Sequence, residues 1–571
     1  MTATAPHARP DAPPTGAAPG DGNSAGPAAT QFGAHEVRNQ PPPLAGFDPL
    51  ACDPALADAV ARHGDPGRAV LRSLAPIAAL AGTAEAREHG RLANENPPRL
   101  RSHDRYGHRI DEVEFHPSWH WLLRKATGFG LHGAPWAPDA GPAAHLRRAA
   151  AFYLWGQVEA GHGCPVSMTY AAVPALRRAP ELAARFEPGL RSLEYDPGLR
   201  EPSGKRGLLA GMSMTEKQGG SDVRANATVA VPAGPAGEYL LTGHKWFTSA
   251  PMNDLFLTLA QAPGGLSCFL VPRVRPDGER NGIHLVRLKD KLGNRANASA
   301  EIEYAGACGW RVGEEGRGVP TIIEMVSMTR LDCVLGSASG MRAALSEATH
   351  HCAHRSAFGA RLADQPAMTA VLADLALESE AATVLGMRLA AAVDAGEHEL
   401  LRLALPAAKY YVCKRAPAVV GEAMECLGGN GYVEESGLPR LYREAPLNSI
   451  WEGSGNVTAL DLLRAVAKAP SSVDALLAEV SLPDPRLATA VSALRAELGA
   501  PRPQRARRLA ELAALCLQAA LLLRHGPPLV ADAFLATRLD SRLGPGGGRT
   551  FGTLPDAVPA RAIVDRVTPR S

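Results

Sequence analysis

The chain has 571 residues, room for two to four domains, and 46% of them are hydrophobic, enough for large buried cores. Sixty basic against 58 acidic residues leave a formal charge of +2, which argues against a polyanion binder over its whole surface but allows a local basic patch. The nine cysteines are scattered without a C-x-x-C pair, so neither a zinc site nor a disulfide framework is expected, and a reducing cytoplasm fits best.

Residues 1–33 are dominated by Ala, Pro, Gly, Thr and Asp with no apolar run, and read as a disordered tail rather than a signal peptide. Residues 34–206 read mostly as helices, with apolar positions at three- and four-residue spacing over 53–63, 76–89 and 143–160. Asp53 before Pro54 suits a cap and first turn. His116 and His120 are four apart, but a metal needs a third ligand and none is evident, so hydrogen bonding at a helix start is expected of them.

From residue 207 to about 310 the pattern changes to short alternating or apolar runs at 224–231, 239–242, 255–261, 267–271 and 301–304, broken by Pro- and Gly-rich turns. That predicts an antiparallel barrel or sandwich. At its head, Gly219 and Gly220 can bring backbone N–H groups close to a ligand, with Thr215, Gln218 and Ser221 beside them. An ordinary turn remains an alternative for this loop alone. Trp246, Phe247, Thr248 and Ser249 pair two aromatics with two hydroxyls, fit either to wall a planar cofactor or to fill a core.

Helical periodicity returns over 311–468, with long Ala/Leu-rich helices at 320–356, 365–395 and 399–427 and a shorter one at 457–466, a bundle pattern. Residues 469–571 shift again: 471–571 hold thirteen arginines, no lysine and nine acids, a net +4. The densest run is Arg502, Arg505, Arg507 and Arg508, either a solvated face or a contact for nucleic-acid phosphates. The apolar run 512–523 is too short to span a membrane.

Five motifs occur in order: Met-Thr-Glu-Lys-Gln-Gly-Gly-Ser-Asp at 214–222, Gly-His-Lys-Trp-Phe at 243–247, Arg-x-x-Phe-Gly at 355–359, Leu-Gly-Gly-x-Gly-Tyr at 427–432 and Ile-Trp-Glu-Gly-Ser-Gly-Asn at 450–456. With them the chain resembles the acyl-CoA dehydrogenase family, and within it the AidB subgroup of flavoproteins tied to the bacterial response to DNA alkylation. The subgroup likeness extends to 115–119, 164–168, 288–295 and 438–444.

The resemblance implies an α+β multidomain, mainly α fold: an N-terminal helical domain, a central β domain, a four-helix bundle and an added helical domain. It implies FAD, held by Met212, Met214, Thr215, Gln218, Gly219, Gly220, Ser221, Trp246, Phe247, Thr248, Ser249, Trp451, Ser454 and Asn456. Arg355, Phe358, Gln365, Gly428 and Gly429 would reach the FAD of a neighbouring subunit, which implies a homotetramer. Glu452 matches the family's catalytic base. Thr329, beside Arg330 in the substrate region, stands where some members carry the base instead. The added domain implies double-stranded DNA as a partner, beside an acyl-CoA or an alkylating small molecule. A metabolic dehydrogenase for a short branched acyl-CoA is the alternative. Bulky Trp451, where many members carry Tyr, bears on the width of the acyl site. The resemblance accounts for neither the tail nor the extension 544–571.

Overall fold

Helix capping and strand pairing set the order of elements in the computed structural model, which describes residues 37–64, 68–234, 237–539 and 550–570. The expected tail 1–33 and residues 544–549 of the extension lie outside them. The first helices are α1 (Pro54–Gly64), α2 (Ala69–Ala81) and α3 (Ala84–Glu95). Asp53 caps α1, its Oδ1 accepting from the Leu56 N–H at 3.0 Å. The single helix expected over 76–89 is instead two. Thr83 adopts an extended backbone and its hydroxyl accepts from the Ala86 N–H, so it starts α3 rather than continuing α2.

A hairpin that helical reading of 34–206 missed follows, β1 (Arg99–His103) antiparallel to β2 (Arg109–Glu114). Its turn is tied by Asp104 Oδ1, which accepts from the N–H groups of Tyr106 and His108, with Gly107 at φ +88°. Next come α4 (Pro117–Gly128), α5 (Ala144–Gly156), α6 (Gly163–Leu176) and α7 (Pro180–Leu190). His116 is the N-cap of α4, its Nδ1 accepting from the Ser118 N–H, while His120 bonds the Tyr195 hydroxyl at 2.8 Å. The two histidines serve separate hydrogen bonds.

The β region comprises β3 (Ala210–Ser213), β4 (Val229–Pro232), β5 (Glu238–Ser249), β6 (Leu255–Ala262), β7 (Gly265–Pro272), β8 (Ile283–Leu288) and β9 (Ser299–Val312). Pairings β6–β7, β7–β9, β9–β5 and β5–β4 are antiparallel, and a short parallel contact of β4 with β6 closes the ring. The result is a barrel, with β3 added parallel to β6 and β8 antiparallel to β9. Tyr239, Leu241, Phe269, Val271, Ile302 and Tyr304 are buried within it.

The bundle is α8 (Gly318–His354), α9 (Pro366–Asp394), α10 (His398–Glu425) and α12 (Gly455–Lys468), with the two-residue strands β10 (Ser356–Ala357) and β11 (Ala360–Arg361) after α8 and the short α11 (Leu438–Glu444) before α12. Among the described residues five further helices follow: α13 (Pro470–Val480), α14 (Pro485–Gly499), α15 (Ala506–His525), α16 (Pro528–Arg538) and α17 (Ala560–Val567). Helix α15 packs on α9, α10, α12 and α13, and its residues from Leu512 to Leu522 are all buried. That explains the apolar run at 512–523. No helix among the described residues is long and apolar enough to cross a membrane. One hydrophobic core joins α1, α2 and α5 to α8, α9, α10 and α15; another sets α6 and α7 against β3, β6, β7 and the start of α8.

Candidate functional site

The loop after β3 is organised by a buried ion pair that sequence reading did not single out. Glu216 and Lys245 have fully buried side chains, and Lys245 Nζ donates to Glu216 Oε1 at 2.7 Å and to the Leu259 carbonyl at 2.8 Å. Glu216 also accepts from the N–H groups of Ala227 and Thr228. Burial opposes its charge, yet these hydrogen bonds hold its carboxyl down at about 2. Burial likewise lowers Lys245 to about 8 against the pull of Glu216. The pair closes the 214–228 loop onto the barrel, so Gly219 (φ +139°) and Gly220 are presented at a defined place. A Cβ at Gly220 would run into Thr215 Oγ1. Gln218 Nε2 donates to Glu216 Oε2 and the Ala225 carbonyl, and the Asn226 amide donates to the Met214 carbonyl.

Opposite this loop, the register of β5 against β9 shifts between Lys245 and Thr248, a bulge that re-aims Trp246 and Phe247. The Trp246 N–H donates to the Thr215 carbonyl at 2.7 Å. Phe247 is 48% exposed, a large apolar surface left open beside a polar loop. Lys289 Nζ lies 3.4 Å from the centre of the Trp246 ring. Thr248 Oγ1 bonds Ser213 Oγ, and Ser249 Oγ bonds Ser299 Oγ at 3.1 Å.

Glu452 sits on the turn before α12 with φ +56°, a left-handed conformation unusual for a residue with a side chain. Thr329 Oγ1, on α8, donates to Glu452 Oε2 at 2.7 Å. Among the described residues no hydrogen bond is directed at Oε1. Burial raises the carboxyl above its ordinary value, opposed by the Thr329 hydrogen bond and by the charges of Lys409 and Arg330. Arg330 does not point its charge into open space: its Nε donates to the Glu452 carbonyl at 3.1 Å and its Nη1 to Asp461 Oδ2 at 2.7 Å. The Trp451 indole donates to Asn448 Oδ1 at 2.9 Å.

Cys164 on α6 links the two halves. Its thiol is pushed up to about 12 by burial and then by the nearby Glu452 carboxyl, against the Ser249 hydroxyl and the charge of Lys291. Base turn, bulged strand and α6 therefore meet at one place. Met212, Met214 and Trp451 border the same apolar cluster as Cys164. Asn297 is 1% exposed, and neither its Nδ2 nor its Oδ1 has a hydrogen-bond partner. Neither Asn297 nor Lys409 was legible as functional beforehand, although Lys409 stands in an otherwise apolar stretch of α10, which is a signal of a buried charge.

The remaining predicted residues lie elsewhere. Arg355 follows the end of α8, 26 residues beyond Thr329, which at 1.5 Å per residue is roughly 40 Å along the helix. Phe358 is fully exposed at φ +52°, and a Cβ at Gly428 or Gly429 would meet nothing. Gln365 donates to the Ala357 carbonyl at 2.8 Å. These residues do not join the Glu452 site within one chain. Ser454 is exposed at the head of α12, and Asn456 Oδ1 accepts from Arg507 Nε at 2.7 Å. Arg505 and Arg508 both pair with Glu497, whose side chain is buried, while Arg502 is exposed. A separate cavity of about 210 Å³ near α4 contains none of the predicted cofactor, base or DNA residues, and four of its polar groups pair with one another, Lys205 with Asp254 and His120 with Tyr195.

Three domain profiles match the chain: the adaptive response protein AidB N-terminal domain over 39–197, the acyl-CoA dehydrogenase middle domain over 211–307 and the acyl-CoA dehydrogenase C-terminal domain over 316–467. The AidB protein of Escherichia coli (strain K12) is 47% identical over 520 residues, covering 89% of this chain and 95% of that one. Acyl-CoA dehydrogenase family member 11 of Caenorhabditis elegans is 34% identical over 406 residues, 67% of this chain and 64% of that one. The crystal structure of C. elegans ACDH-11 in complex with C11-CoA superposes with a TM-score of 0.77 at 29% identity, covering 89% of this chain and 92% of that one.

Proposed function

This chain belongs to the acyl-CoA dehydrogenase family, FAD-dependent oxidoreductases acting on CH–CH bonds, and we propose that it is a flavoprotein of the AidB type in which Glu452 abstracts the α-proton of an acyl thioester. The observation that carries this reading is the Glu452 carboxylate: Oε2 is held by Thr329, Oε1 is left to receive a proton, and burial lifts its basicity.

The residues suit FAD. The glycine-rich loop and the hydroxyls of Thr215, Ser221, Thr248 and Ser249 are uncharged donors of the kind a ring edge or pyrophosphate takes. Phe247 offers an open apolar face, and the partnerless Asn297 amide is a buried polar group awaiting one. Met212, Met214, Thr215, Gln218–Ser221, Trp246–Ser249, Trp451, Ser454 and Asn456 would hold the cofactor. Arg355, Phe358, Gln365, Gly428 and Gly429 would serve the FAD of a neighbouring subunit in a homotetramer, which accounts for their distance from Glu452. Bound there, FAD supplies the acceptor for the β-hydride. The protein's part is orientation and the proton. Glu452 Oε1 takes the α-proton, and Thr329 steadies the carboxylate before transfer.

We further propose that the protein binds double-stranded DNA in the cytoplasm and limits alkylation damage, the reading suggested by its likeness to AidB over most of both chains. Of the four candidate arginines, Arg502 alone has no side-chain partner among the described residues and is left to meet phosphates, because Arg505 and Arg508 are engaged with Glu497 and Arg507 with Asn456. The intact Glu452 favours a second reading, a metabolic dehydrogenase for a short branched acyl-CoA. One experiment separates them: anaerobic flavin reduction by a panel of acyl-CoA esters, with and without duplex DNA. Glu452→Gln should keep FAD and abolish reduction. Reduction that survives in Glu452→Gln refutes the base. A duplex affinity whose salt slope is unchanged in Arg502→Ala, where a drop of about 0.9 is expected for one lost phosphate contact, refutes the arginine assignment.

A further inference from the structure

We propose that Lys409 is a positioning residue for the base, an internal cation that clamps the 451–453 turn and holds Glu452 in its left-handed backbone conformation. The inference rests on the reading of Glu452 as base.

The geometry is specific. Lys409 lies on α10 and is 1% exposed. An ammonium in such a place needs acceptors on every side, and it has no carboxylate partner within ion-pair distance among the described residues. Its Nζ instead donates to the Trp451 carbonyl at 2.9 Å and to the Gly453 carbonyl at 2.5 Å. The carbonyl between them, that of Glu452, accepts from Arg330 Nε on α8. Arg330 is itself fixed by Asp461 on α12, which Arg402 also reaches at 3.2 Å. Three successive carbonyls thus end on two cations from two helices.

Neither a helix nor a strand lets carbonyls at i−1 and i+1 converge on one ammonium beneath the turn. The positive φ values of Glu452 (+56°) and Gly453 (+101°) make it possible. Gly453 tolerates this for want of a Cβ, but Glu452 does not, so something must compensate for the conformation. Charge-assisted hydrogen bonds in a dry interior do so. The Thr458 hydroxyl adds a second bond to the Gly453 carbonyl at 2.8 Å. With the carbonyls turned down onto α10 and α8, the Glu452 side chain is directed to Thr329.

The same ammonium acts electrostatically on the carboxylate. The charged and titratable groups around Glu452 are Lys409 on α10, Arg330 and Cys333 on α8 and Cys164 on α6, with Asp461 acting through Arg330. Lys409 and Arg330 favour the anion and burial disfavours it, so removing Lys409 removes one of two supports.

The test uses the holoenzyme as wild type, Lys409→Met, Lys409→Gln, Lys409→Arg and Glu452→Gln. The infrared band of the protonated carboxyl that disappears in Glu452→Gln is titrated against pH without substrate. Flavin reduction by the best acyl-CoA of the panel is followed in parallel. In Lys409→Met the band should titrate at higher pH than in wild type, and kcat should fall tenfold or more with KM changed less than threefold. Lys409→Gln, which can still donate to one carbonyl, keeps the assay informative if Lys409→Met does not fold, and should show the same upward titration. Lys409→Arg should recover part of both effects. A carboxyl titration and kcat equal to wild type in a folded neutral variant overturn the proposal. If Glu452→Gln still reduces its flavin, the base reading fails, yet the infrared titration continues to report on the clamp.

Discussion

Replacing Lys245 by methionine should loosen the 214–228 loop while leaving the barrel folded. In the wild type, Glu216 Oε1 receives the Lys245 ammonium at 2.7 Å, and the carboxylate also receives the N–H groups of Ala227 and Thr228. A carboxyl held at about 2 instead of 4.5 measures the folded state's preference for the anion at about 3 kcal/mol. Both side chains are fully buried, so water does not take over the lost partner. Removing one member of a buried pair typically costs about 3–5 kcal/mol, of the same size. The sign follows from the depressed value: the stabilisation is complete above pH 4.5 and is lost as pH falls toward 2. The assay is native-state hydrogen exchange of the Ala227 and Thr228 amides. About 3 kcal/mol corresponds to roughly a hundredfold loss of protection at pH 7 in Lys245→Met. The deficit should shrink at pH 4, where the stranded carboxyl of the variant becomes protonated. A change below about threefold at pH 7, or a deficit independent of pH, would refute the reasoning. The double variant Lys245→Met/Glu216→Gln should recover much of the protection, since no buried charge is then unpaired.

Two further outcomes follow from named contacts. Thr329→Val removes the hydroxyl that lowers the Glu452 carboxyl, so the acid limb of flavin reduction should move to higher pH while the alkaline plateau is kept, as stopped-flow bleaching across pH will read; an acid limb unmoved from wild type would count against it. Glu444 is pushed up to about 7 by burial, against hydrogen bonds from the Asn294 N–H and amide and with Glu159 adding to the rise. A folded-state value raised above 4.5 means stability is full at low pH and falls as pH rises from about 4.5 to 7. Glu444→Gln should flatten that slope, giving a thermal midpoint that changes less than wild type between pH 5 and 8; an identical slope would count against it.

Much of the fold was written in local signals. The 37-residue helix α8, the Asp53 cap and the return of helical periodicity after the barrel could each be read from a few neighbouring residues. The misses share a cause. The β1–β2 hairpin carries charges on both faces, so its alternation was weak, and the α2–α3 break depended on one threonine choosing to cap. The apolar run was read over 239–242 only, yet β5 continues to Ser249, because pairing with β9 and a bulge extend it where local propensity does not.

The candidate site divides in the same way. The order of motifs singled out Glu452, the glycine loop and the aromatic pair as candidates, since each is a short stretch whose residue types can be read in place. Tertiary structure alone decided that Thr329 donates to Glu452, that Arg330 is turned onto a carbonyl, that Lys245 closes the loop from 29 residues away and that Arg505 and Arg508 are spent on a buried glutamate. A side chain's type can be read in place, but its partner is chosen by burial. Once water is excluded, each charge must take whichever acceptor the packed helices and strands bring within about 3 Å, and that acceptor lies anywhere along the chain.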